Sequence, residues 1–227
     1  MARHLDLEEQ EQLDELKHFW KQYGNLITWF LILVFGSYAA WNGWQYWQRQ
    51  QAVQASALYD EVERAAAAGD TARVEQAFKD VREKFGGTTY AQQAGLLAGR
   101  VLWEKGKPDA AKAALQWVAD DAADPGLQAA GRLRLAAALV ETKAYDEALK
   151  VLSTGIPAEF DALAADRRGD IRNLQGKKDE AKAEYTKAWK GLGADSEYRT
   201  LVEVKLTALG VDVQALKGQA PTEKAKT

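Results

Sequence analysis

The sequence predicts an all-α protein, a single N-terminal transmembrane helix followed by an α-solenoid of helix–turn–helix repeats. Three observations carry that prediction. No charged side chain occurs between residues 25 and 48. A turn residue, a small residue five positions later and a large residue four beyond that recur four times after residue 60. Pro, which breaks helices, occurs only four times in 227 residues,.

Residues 1–25 read as a cytoplasmic amphipathic segment. Leu13, Leu16, Trp20 and Tyr23 are spaced as one helical stripe,. Acids lead and bases follow, as a helix dipole prefers. Two roles fit the stripe: a short interfacial helix leading into the membrane, or a docking helix.

Residues 26–47 read as the transmembrane helix. The nineteen residues Leu26–Trp44 rise about 28 Å as a helix, close to the hydrocarbon thickness of a bilayer. Trp20 and Tyr23 flank one end; Trp41, Trp44, Tyr46 and Trp47 flank the other. Such rings favour the headgroup level, with an apolar body inward and a polar edge in water. Membrane lipid is therefore the first partner expected. Trp41, Trp44 and Trp47 also share one side of a helix, which suits a partner in the membrane as well as a plain aromatic belt. A charge-free stretch of this length exceeds an ordinary core helix. Ser37-Tyr38-Ala39 has the small-x-small pattern of a signal-peptide cleavage site, but the preceding segment is long and acidic, so an uncleaved anchor is expected,. Arg3, Lys17 and Lys21 precede the span, and Arg49 and Arg64 follow it. Three against two favours a cytoplasmic N-terminus.

Residues 48–212 read as the repeat domain. Gly69, Gly106, Lys143 and Gly176 mark the turns, at periods of 37, 37 and 33 residues,. Val74, Ala111, Ala148 and Ala181 follow five residues later; Phe78, Leu115, Leu152 and Tyr185 come four further on. The small residues let paired helices approach, and the larger ones fill the space between neighbouring pairs. This spacing resembles tetratricopeptide repeats. The fourth unit departs from it, because Arg172 occupies an apolar slot; a rotated or partly exposed helix is expected there. A last helix, about Ser196 to Leu209, caps the array, and residues 213–227 read as a flexible polar tail.

The first helix of each pair lines the inner face of such a solenoid. By offset, that face receives Leu96, Arg100 and Trp103, then Leu133, Ala137 and Val140, then Asp166, Asp170 and Asn173. A core position is the competing reading for Leu96 and Trp103.

Catalytic constellations are missing. The chain has no Cys, and its two His are His4 and His18, so the repeat body has neither thiolate nor imidazole chemistry,. No phosphate-binding glycine loop or metalloprotease motif occurs. Asp120, Asp121 and Asp124 fit a solvated helix end better than a metal site. The net charge of -3 points away from nucleic acid,. A non-enzymatic protein without cofactor is expected.

The order of parts carries a further likeness. KHFWKQYGN (17–25), one span, GWQYWQRQQ (43–51), the Ala-rich ASALYDEV (55–62) and then repeats resemble the YfgM family of bacterial inner-membrane proteins. The Lys-x-Phe-Trp run with Gly24, and Gly-Trp-x-Tyr-Trp after the span, are its most specific stretches. The resemblance implies an ancillary subunit of the SecYEG translocon with a periplasmic repeat domain. It implies pairing with PpiD, a membrane-anchored periplasmic chaperone, and help in passing emerging client proteins onward. It brings no catalytic residue. A scaffold for envelope assembly and a membrane-tethered stress regulator are the alternatives.

Overall fold

The computed structural model describes residues 7–217, which hold ten α-helices and no strand. In chain order they are α1 (Leu7–Ala68), α2 (Thr71–Phe85), α3 (Thr89–Glu104), α4 (Pro108–Asp121) and α5 (Pro125–Glu141). Then come α6 (Tyr145–Val151), α7 (Asp161–Leu174), α8 (Lys178–Gly191), α9 (Glu197–Ala208) and α10 (Val213–Lys217). The chain divides into two compact units after Gln51.

The first unit holds the N-terminal part of α1. This is the one helix among the described residues long and apolar enough to cross a membrane. Its apolar side chains are exposed: Trp29, Phe30, Leu33 and Phe35 are each more than 60% accessible.

The second unit is the solenoid, beginning with residues 52–68 of α1. Its turns are built alike. Gly69, Gly106, Lys143 and Gly176 all have positive φ, between 60° and 76°. At each, the amide of the turn residue reaches the carbonyl three residues back, and the next amide reaches the carbonyl five residues before itself. Gly106 N donates to Trp103 O at 3.0 Å, and Lys107 N to Leu102 O at 2.8 Å. This pairing satisfies carbonyls left open at a helix end and needs a left-handed residue. Lys143 adopts it without being glycine.

A fifth turn of the same kind follows at Gly210, with φ 80° and Val211 N donating to Leu206 O at 3.1 Å. The array therefore does not stop at a lone cap helix. α9 and α10 form a fifth unit, and Val213 is buried in the last core cluster. The expected flexible tail loses residues 213–217 to this helix; residues 218–227 lie outside the described ones.

Helix starts follow local chemistry. Asp70, Thr88 and Asp124 accept hydrogen bonds from the amides of Arg73, Ala91 and Leu127,. Asp124 is thus an N-cap, and Asp121 ends α4. The core runs along the array as three successive clusters, around Val74 and Leu102, around Leu135 and Leu152, and around Trp189 and Leu206. All eight repeat-packing residues named from the sequence, Val74 to Tyr185, are buried. The second helices of units one, two and four have 15, 14 and 14 residues, whereas α6 has seven.

Candidate interaction surfaces

An open groove of about 410 Å³ lies between α3 and α5. Arg100, Trp103 and Glu104 face Arg134, Ala137 and Glu141 across it. A second cleft, of about 310 Å³, joins the end of α1 to α3 and shares Arg100 and Glu104. Trp103 is half-buried, its ring packed on two core clusters. Near the second cleft, Tyr59 packs 6.0 Å from Tyr90, and burial and then the Glu63 carboxylate push its phenol pKa up. A groove with one indole and charges of both signs suits a peptide segment bearing an apolar side chain.

The other inner-face residues are placed differently. Leu96 is 7% exposed and belongs to the core; its carbonyl accepts from Arg134. Leu133 and Val140 are half-buried against the same core. Asp170 is already engaged. Lys205 of α9 sits between Asp166 (2.8 Å) and Asp170 (2.7 Å), while Tyr185 donates to Asp170 and Tyr198 to Asp166. Asp166 has no exposed surface. Burial and then the carboxylate bonds raise both phenols, Tyr198 to about 12. A buried carboxylate must be paired, and α9 supplies the pairing. In the fourth unit the inner face is thus closed by the fifth unit's first helix.

The Arg172 helix is partly exposed and not rotated. A Cβ on Gly169 would lie 2.6 Å from the Tyr185 ring, just as one on Gly99 would lie 2.5 Å from Leu115. The register of α7 on α8 therefore matches that of α3 on α4. Arg172 reaches Glu180 of α8 at 3.1 Å. Its neighbour one turn back, Arg168, forms a charged dipeptide with Arg167 in the sequence. It is 9% exposed, binds Glu184 at 3.0 Å and donates to Leu152 O at 2.9 Å. That last bond caps α6 from the next unit. The signal was available: Arg168 and Arg172 stand one turn apart on α7, and Glu180 and Glu184 one turn apart on α8.

On α1 the Trp20 indole lies flat over Gly24, where a Cβ would come within 3.2 Å of the ring. Phe19 packs on Tyr23 at 5.1 Å, and Trp44 on Trp47 at 5.2 Å. Trp41, Trp44, Tyr46 and Trp47 are all more than half exposed.

These features define a class: a helix long enough to span a bilayer, joined to a tetratricopeptide-like recognition array. Among the described residues no group of three or more acidic or His side chains is placed to hold a metal ion. The model of a tetratricopeptide repeat-like domain family matches residues 17–211. A relative from Neisseria gonorrhoeae is 32% identical over 92% of this chain and its own full length. One from Haemophilus influenzae is 32% identical over 80% of the chain and 89% of itself, and one from Escherichia coli K12 is 30% identical over 78% and 85%. All three are named ancillary SecYEG translocon subunits. The chain belongs to this family.

Proposed function

We propose that this protein is an ancillary subunit of the SecYEG translocon in the bacterial inner membrane. One observation carries the reading: the likeness to relatives of that name runs through the apolar helix as well as the repeats. The protein acts by binding and catalyses nothing. Residues 26–47 cross the membrane with the N-terminus cytoplasmic, and the solenoid lies in the periplasm. Trp41 and Trp44 dock beside the translocon. The α3–α5 groove, with Arg100 and Trp103, receives a segment of a PpiD-like chaperone or of a client protein.

A photoreactive residue replacing Trp44 in intact cells tests this. Adducts with translocon subunits or a membrane-anchored periplasmic chaperone are expected. Adducts with lipid alone would reduce the aromatic cluster to a belt and remove the docking role.

A further inference from the structure

We infer that the N-terminal arm of α1 is covered by a helix of a partner membrane protein, one that projects beyond the bilayer on the same side. The inference rests on reading residues 26–47 as a span and extends the docking role to the arm.

The backbone is helical without interruption from Leu7 to Ala68. Gly24 is where a bend toward the membrane surface would be expected, yet it is buried under the Trp20 indole and stays helical. The arm therefore continues the axis of the span. Leu13 lies thirteen residues before Leu26, so it stands about 20 Å outside the hydrocarbon, and Leu16 about 15 Å outside. The headgroup layer is only about 5–8 Å deep on each side. Trp20 and Tyr23 fall in or near it; Leu13 and Leu16 lie beyond it, 41% and 61% exposed. Lipid cannot cover them.

The arm's stripe also continues into the span. Leu13, Leu16, Trp20 and Tyr23 recur in the same heptad positions as Trp41 and Trp44, four heptads apart. A straight helix drifts about 20° per heptad, about 80° over four, and a neighbouring helix follows that drift by crossing it in a left-handed sense. Asp14, Glu15, His18 and Lys21 occupy the other side. One apolar face thus runs from water into the membrane, and a single neighbouring helix covers both parts. A second copy of this chain fits poorly. Self-pairing sets Trp20, Tyr23, Trp41 and Trp44 against themselves in layers that favour Leu, Ile or Val. A helix with small residues opposite the rings packs closely.

The absence of Cys permits a clean test. Full-length variants Leu13→Cys, Leu16→Cys, Glu15→Cys and His18→Cys would be labelled with a water-soluble maleimide. Membranes of the native host, broken open to expose both faces, would be compared with vesicles holding the purified chain alone. In native membranes positions 13 and 16 should react at least about tenfold more slowly than 15 and 18, as a dry interface requires. In vesicles of the purified chain the difference should vanish. Equal labelling in native membranes would leave the stripe open to water and overturn the inference. Protection in both preparations would assign the cover to lipid or a second copy and overturn it too. Translocon adducts from position 44 alongside either result would leave the proposed function standing.

Discussion

In the second repeat, the α3 positions eight and four residues before the turn glycine are Ala98 and Leu102, both buried. In the fourth repeat the same positions on α7 are Arg168 and Arg172, which pair with Glu184 and Glu180. The helix pairs nevertheless close in the same register, glycine against a large side chain in each. The turn and that close approach set the geometry. The seam beside them accepts apolar or ionic filling, provided each buried charge finds its partner on the facing helix. An ionic seam gains little over an apolar one, because desolvation offsets the attraction. It is more exposed to single losses, since removing one partner strands the other.

The largest way to break the ionic half is Lys205→Met. It leaves Asp166 buried without its cation, at a cost of about 3–5 kcal/mol, read from chemical denaturation of the full chain in detergent. The double variant Lys205→Met with Asp166→Leu should recover most of that loss; no recovery would mean the pair is not the source.

Gly169→Ala and Gly99→Ala probe the shared framework. Each should cost about 1–3 kcal/mol by overpacking. Gly169→Ala should cost more, since the Tyr185 ring is held by its hydroxyl bond to Asp170 whereas Leu115 has no hydrogen bond to fix it. A harmless Gly169→Ala would show that α7 and α8 are looser than α3 and α4.

Alkali should act selectively. The Tyr198 phenol is raised from 10.0 to about 12 in the folded chain. Its stabilising contribution is complete below pH 10 and is lost as pH rises through 12. Tyr198→Phe should flatten that part of the stability profile.

The smallest effect is a gain. Lys143→Gly relieves a left-handed lysine and should stabilise by about 1 kcal/mol, seen as a higher denaturant midpoint with unchanged slope.

The framework was readable because it is local and periodic. Gly69, Gly106, Lys143 and Gly176 recur at nearly fixed spacing, and a left-handed turn with its small residue leaves that trace in one dimension. The helix stop at Gly210 was legible, but α10 was not, because too few residues follow the turn to show a second helix by pattern. Asp166 escaped for another reason. Its burial depends on Lys205, 39 residues away, and no periodicity marks a pair that occurs once. Leu96 shows the limit from the other side: spacing leaves it open between inner face and core, and its packing in the second cluster makes it core.

The brevity of α6 bears on how the molecule comes apart. A linear array unfolds by releasing blocks at its weakest junction. After Val151 the chain leaves the helix for an irregular stretch through Pro157, restrained by the Arg132 bond to Thr154 O and the Arg168 bond to Leu152 O. Amide protons there should exchange with solvent well before those of α4 or α8. A protease should nick the chain first between residues 153 and 157, leaving an N-terminal fragment of three repeats and a C-terminal one built around Trp189.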